Sequence, residues 1–192
     1  MKSREKIIQA ATHLFHKKGY QTTTVDEIAE TTRVTKSNLY YHFRSKEELA
    51  LETLDMRMNQ FESDVILPTL GETSLSPKKR LQQFYDHVAD FHSSLECRYG
   101  CPFGNLAIEM SDVSEKFRKR LSIFFRNWEK AIERCIDEGI REGEFRRDIN
   151  PKLVAQLILS QVEGAIMMVK THKILEPLTE GAKAVLKLLE PA

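Results

Sequence analysis

Cysteine, proline and glycine are all scarce in this chain of 192 residues, at three, six and eight. An odd, small number of cysteines argues against a disulfide-stapled secreted scaffold and favours a reducing, cytoplasmic setting. So few turn-forming residues, with no sustained alternation of apolar and polar positions, exclude a fold of many short strands. Long apolar runs are missing too: the richest, Leu153 to Val169, is broken by Gln156, Gln161 and Glu163, so no membrane partner is expected. The opening MKSREKIIQAATHLF lacks an apolar stretch followed by a small-residue cleavage site, so no signal peptide is expected. There is no nucleophile with an evident base, no phosphate-cradling glycine loop and no His/Cys spacing suited to a metal. Neither an enzyme, nor a cofactor, nor a metal centre is therefore expected.

Excess charge is absent overall, at a formal +1, yet its distribution is uneven. Residues 1–50 hold nine Lys/Arg against six Asp/Glu, or +3, and the remainder of the chain is −2. A basic head on a mildly acidic body suits contact with a polyanion at one end.

What is present is helical spacing almost throughout. Ile7, Ile8, Ala11, Leu14 and Phe15 form one face of a first helix that stops at Gly19. Thr24-Val-Asp-Glu27 reads as a capping box opening a short helix to about Thr32, and Thr35 as the N-cap of another through Tyr41. Ser45-Lys-Glu-Glu48 is a second box, before a longer helix through Leu54, Met58, Phe61 and Val65. Ser76-Pro77 opens the next, with Leu81, Phe84, Val88 and Phe91 inward. A short helix from Pro102 to about Met110 follows, then a long one bearing Phe117, Leu121, Phe124, Trp128, Ile132 and Ile136 and weakened at its end by Gly139 and Gly143. Asn150-Pro151 caps a helix to about His172, and a last one runs from roughly Thr179 to Leu189. The expectation is an all-α fold of about nine helices.

Two short helices joined by a tight turn at Thr32-Arg33-Val34 have the geometry of a helix-turn-helix, whose second helix can enter the DNA major groove. That explains VTKSNLYYHF, Val34 to Phe43. Val34, Leu39 and Phe43 anchor the helix, which leaves Thr35, Lys36, Ser37, Tyr40 and Tyr41 facing outward. Hydroxyls and phenols can donate to phosphate oxygens, Lys36 can reach a base edge or phosphate, and tyrosine rings can lie against thymine methyls. His42 suits either DNA or the helix C-terminus. At Lys46 the next helix offers free amides and a cation to another phosphate.

The segment TTVDEIAETTRVTKSNLYYHFRSKEEL, Thr23 to Leu49, with FHKKGY before it, closely resembles the DNA-binding signature of the TetR family of transcriptional regulators. The resemblance covers about the first fifty residues. It implies a homodimeric repressor that binds a palindromic double-stranded operator through residues 1–46 and releases it when a small-molecule effector enters residues 47–192. Carried over by position, it names Thr24, Thr35, Lys36, Ser37, Tyr40, Tyr41, His42 and Lys46 as DNA contacts. Arg33 stands where the family usually has glycine in the turn; it is expected at positive φ, or as a further phosphate contact.

The same resemblance implies that the last two helices pair with their copies. Leu153, Leu157, Ile158, Val162, Ile166 and Val169, with Val185 and Leu189, form the candidate dimer interface, and intrachain core is the alternative for part of that set. Phe61, Phe84, Phe91, Tyr99, Phe103, Phe124, Trp128 and Met167 are candidates to line an apolar effector pocket; Asn105, His87, His92, Glu109, Gln161 and Glu163 could orient a ligand there. Cys101, directly before Pro102, would place its sulfur at a helix N-terminus near Arg98, which favours a reactive thiolate. GCPFGN also resembles a segment of family members that respond to electrophiles or oxidants. Gly100 to Gly104 as a mere compact turn is the plainer reading, and Cys135 is read as core. The rival to DNA binding is a helical adaptor that holds another protein with its Tyr-rich helix, for which DNA sequence would matter little.

Overall fold

The computed structural model describes residues 3–191, which form nine α-helices and no strand. They are α1 (Ser3–Lys18), α2 (Val25–Thr32), α3 (Lys36–His42), α4 (Lys46–Phe61), α5 (Pro77–Ser94), α6 (Pro102–Met110), α7 (Glu115–Glu142), α8 (Pro151–His172) and α9 (Glu176–Leu189). A π-helical turn, Glu62–Ile66, continues α4.

Four of the nine helix starts are set by expected side-chain caps. Thr24, Thr35, Ser45 and Asn150 each accept a backbone N–H three residues on, at 3.1–3.2 Å. The two capping boxes are only half formed. Glu27 pairs with Lys18 instead of reaching back, and Glu48 accepts the Arg44 N–H at 2.8 Å. Ser76 occupies the N-cap of α5 without a side-chain capping bond, so Pro77 alone marks the start. The last helix begins at Glu176, a turn before the expected Thr179, because Pro177 fits a first turn.

The chain forms two compact units. The first comprises the described residues through Asn59 together with Pro102–Leu121. Its core is Ile7, Ile8, Ala11, Leu14, Ile28, Leu39, Phe43 and Leu49, so α1, α2, α3 and the start of α4 share one apolar centre. The Arg4 guanidinium lies 5.2 Å from the Phe43 ring centroid and pairs with Glu52.

The second comprises Gln60–Cys101 and the described residues from Ser122 on. Here α9 packs against α5 and α8. The buried Arg80 guanidinium donates to Leu70 O, at 2.8 Å from Nε, and pairs with Glu138. Tyr85 Oη donates to Gln161 at 3.0 Å. Gly139 lies against Phe145: a Cβ there would sit 2.1 Å from the ring, so this glycine provides clearance rather than merely weakening its helix.

α8 carries the apolar run singled out in the sequence. Despite its polar interruptions it is long and apolar enough to cross a membrane by length and composition alone. Two of its polar residues are engaged inside the second unit, Gln161 with Tyr85 and Glu163 with Cys101, and Gln156 is exposed.

Candidate nucleic-acid interface

The turn between α2 and α3 settles where the surface helix points. Arg33 adopts φ 55° and ψ 34°, and its N–H and that of Val34 bond back to Glu30 O and Ala29 O, each at 3.1 Å. This paired bonding is a Schellman ending, normally built on glycine. Arg33 thus takes the positive φ expected of it. α3 then buries Leu39, with Phe43 just beyond its end, and turns Lys36, Ser37, Tyr40 and Tyr41 outward.

Thr24, Arg33, Thr35, Lys36 and Ser37 are exposed. Tyr40 is 45% and Tyr41 83% exposed, which is unusual for rings of this size and leaves them free to meet a flat surface. His42 is half-buried with its ring edge-on to Tyr41 at 5.1 Å. Lys36 pairs with Asp26 at 2.8 Å, and that contact holds its ammonium above the usual lysine range. Asn38 Oδ1 is buried without a hydrogen-bond partner.

Lys46, at the start of α4, is held more tightly than sequence reasoning suggested. Its Nζ donates to Gln21 O at 3.2 Å and lies 4.3 Å from the Tyr20 ring centroid. Burial draws its ammonium below the ordinary range, against the pull of the nearby Glu109 carboxylate. Tyr20 packs on Phe15 and Phe117 at 5.5 and 5.4 Å, and its phenol is pushed up by burial, then by Glu47 and Glu109. Glu47 is tied to Ser114 and Lys116 at 2.9 and 2.8 Å. Nothing local in the sequence signals this joint.

The candidate effector residues separate. Phe61, Phe84, Phe124 and Trp128 gather in the second unit, with ring centroids 4.7–5.9 Å apart and Phe61 at 4.7 Å from Trp128. Phe103 and Asn105 are on α6 and line a shallow, open cleft within the first unit, beside Phe15, Tyr20, Arg57 and Glu109. Phe91 and Met167 are 39% and 55% exposed, so they are surface residues rather than the lining of an enclosed cavity. Tyr99 is half-buried in a connection where Glu96, Cys97, Tyr99 and Gly100 all have positive φ. Cys101 is buried and hydrogen-bonded to the Glu163 carboxylate, while Arg98 is exposed and pairs with Glu96 at 3.5 Å. The neighbour found for this thiol is therefore a carboxylate, where the sequence suggested the Arg98 cation. Cys135 is core as expected: its Sγ donates to Pro77 O at 3.3 Å, and burial pushes it up to about 12.

The dimer candidates separate as well. Ile158, Val162, Ile166, Val169 and Leu189 are buried within the protomer and unavailable to a partner. Leu153 and Leu157 are 62% and 63% exposed, and Val185 is half-buried. Periodicity missed Met168 and Leu188, which are also exposed.

Residues 7–53 match the model for bacterial regulatory proteins of the tetR family, and residues 77–185 match that for the tetracyclin repressor-like C-terminal domain. The chain is 32% identical to the HTH-type transcriptional repressor DhaR of Mycobacterium sp. (strain GP1), across 98% of this chain and 93% of that protein. It is 30% identical to the HTH-type transcriptional regulator LmrA of Bacillus subtilis (strain 168), across 98% and 97%. The crystal structure of regulatory protein TetR from Rhodobacter sphaeroides superposes with a TM-score of 0.90 at 26% identity, covering 97% of this chain and 98% of that one. With both halves of the chain matched and a helix-turn-helix in place, this protein belongs to the TetR family of transcriptional regulators: it is a DNA-binding regulator and not an enzyme.

Proposed function

We propose that this protein is a cytoplasmic repressor that binds a palindromic operator as a homodimer and leaves it when a small, largely apolar effector binds. The observation that carries the DNA reading is the outward set on α3 and its cap, Thr35, Lys36, Ser37, Tyr40 and Tyr41, fixed from behind by Leu39 and Phe43. Thr24, Arg33, His42 and Lys46 complete the contacts. The functional boundary falls at residues 46 and 47, with DNA contact before it and effector binding and dimerisation after. This is a division of labour rather than of packing, since α6 and the head of α7 pack in the first unit.

Support for the dimer comes from Leu153, Leu157, Met167 and Met168 on α8 and Leu188 on α9, an apolar surface left uncovered by the protomer. A two-fold axis there would offer two copies of α3 to half-sites about 34–36 Å apart. Support for an apolar effector comes from the Phe61, Phe84, Phe124 and Trp128 rings. Trp128 Nε1 and Glu163 Oε1, buried without hydrogen-bond partners, are a donor and an acceptor for its polar groups. A thiol-reactive effector is the second reading, favoured by the position of Cys101 beside Glu163. It requires that Cys101→Ser abolish the response to an electrophile.

A footprint on the DNA upstream of its own gene, at two salt concentrations and with Tyr41→Ala, tests the function. A symmetric protected site, weakened by salt and lost in the variant, is the expected result. If random-duplex selection with the wild-type chain enriched no sequence, the adaptor reading would replace this one.

A further inference from the structure

Glu109 lies outside every DNA-contact motif, near the end of α6, yet it reaches the turn between α1 and α2. Its Oε2 accepts the Tyr20 N–H at 2.9 Å and its Oε1 accepts the Gln21 N–H at 2.6 Å. Gln21 Nε2 donates in return to Glu109 O at 3.4 Å. Two consecutive amides on the two oxygens of one carboxylate form a charge-assisted clamp that fixes orientation as well as distance. Gly19 makes room for it: at φ 91°, a Cβ there would stand 3.2 and 3.3 Å from those oxygens.

The clamped residues are the ones that hold Lys46. Gln21 O accepts from its Nζ, and the Tyr20 ring lies beneath the same ammonium. An ammonium carries three donors, so one directed at Gln21 leaves others for a phosphate at the start of α4. A lysine fixed before binding loses less side-chain freedom on reaching the DNA. We propose that Glu109 is a positioning residue for operator binding: it clamps the α1–α2 turn, and the turn holds Lys46 ready for a backbone phosphate. The proposal rests on Lys46 being a phosphate contact.

The test uses the full-length chain and a duplex selected by the wild-type protein, titrated at several salt concentrations. Glu109→Gln is expected to weaken binding by about tenfold. It also flattens the slope of log affinity against log salt by about 0.9 per protomer, as one lost phosphate contact does. Lys46→Met gives the same pair of changes, and the double variant binds no more weakly than Lys46→Met alone. Tyr20→Leu, which leaves the clamped amides in place and removes the ring, reproduces the flattened slope and stands in should Glu109→Gln fail to fold. Additive losses in the double variant, or weaker binding with an unchanged salt slope, would overturn the proposal, because a purely structural role predicts either one. If Lys46→Met were silent while Tyr41→Ala still abolished binding, the proposal would fall and the recognition helix would stand. Failure of the wild type to select any duplex would instead remove the DNA reading beneath it.

Discussion

Replacing Arg33 by glycine should make the fold more stable and the regulator weaker. Arg33 closes α2 at φ 55°, with both bonds of the helix ending intact. An L-residue in that region carries about 1–2 kcal/mol of strain that glycine does not. Glycine adds freedom to the unfolded chain, which takes back about 0.4–1 kcal/mol. The net gain is about 0.5–1 kcal/mol, or a rise in melting temperature of about 1–4 °C for a chain of this size. The exposed guanidinium is also lost. As a phosphate contact its removal lowers operator affinity severalfold and reduces the salt slope by about 0.9 per protomer. Urea unfolding and salt-dependent operator titration of Arg33→Gly read the two effects separately. Because they have opposite signs, loss of folded protein cannot imitate the pair. A fall in stability would refute the strain argument. A rise in stability with unaltered DNA binding would leave Arg33 as a tolerated turn residue and nothing more.

Asp26→Asn frees Lys36 from its 2.8 Å partner and removes a carboxylate from the DNA face, so operator affinity should rise severalfold in a titration; no change would dismiss Lys36 as a contact. Burial holds the His92 imidazole down at about 4, below its ordinary 6.5, so the unfolded chain binds the extra proton between those values and stability falls on acidification. About 2 kcal/mol should be lost between pH 7 and pH 5, above the range where the partnered carboxylates Glu47 and Glu115 titrate, and His92→Gln should flatten the profile of urea midpoint against pH. Gly139→Ala should destabilise by about 1–3 kcal/mol through its clash with Phe145, although helix propensity alone predicts a gain of about 1 kcal/mol; the sign of the shift in urea midpoint decides between them.

The helices were legible because most of their starts are local chemistry. A hydroxyl or amide oxygen three residues before a free N–H is visible in a string of letters, as Thr24, Thr35, Ser45 and Asn150 demonstrate. One start was misplaced although Pro177 marks it: α9 begins at Glu176, after a Leu175 whose side chain caps nothing, and was expected a turn late. The π-helical turn after α4 has no local signature to announce it, and Gly100 and Pro102 marked an interruption without showing that Glu96, Cys97 and Tyr99 before them are left-handed. α8 posed a different difficulty. Its apolar residues spread well beyond one face, so periodicity could not separate Ile158, Val162, Ile166 and Val169, which the protomer buries, from Leu153 and Leu157, which it leaves exposed.

The candidate site divides along the same line. α3 could be read directly because its anchors and its outward residues lie within ten positions of one another, and burial of Leu39 and Phe43 dictates what remains to face outward. The joint behind it could not, since the amides of Tyr20 and Gln21 meet a carboxylate about ninety positions away. Glu109 looked from sequence like one polar residue among several in an apolar stretch, suited to a ligand as much as to anything else. Its partners are backbone groups, which carry no residue-specific signal, and Gly19 reads simply as a helix stop. In a helix-turn-helix protein the outward-facing set can therefore be named from a short motif, while what packs behind it has to be found in the folded structure. A substitution screen confined to the motif would test Tyr41 and Lys36 and pass over Glu109 entirely.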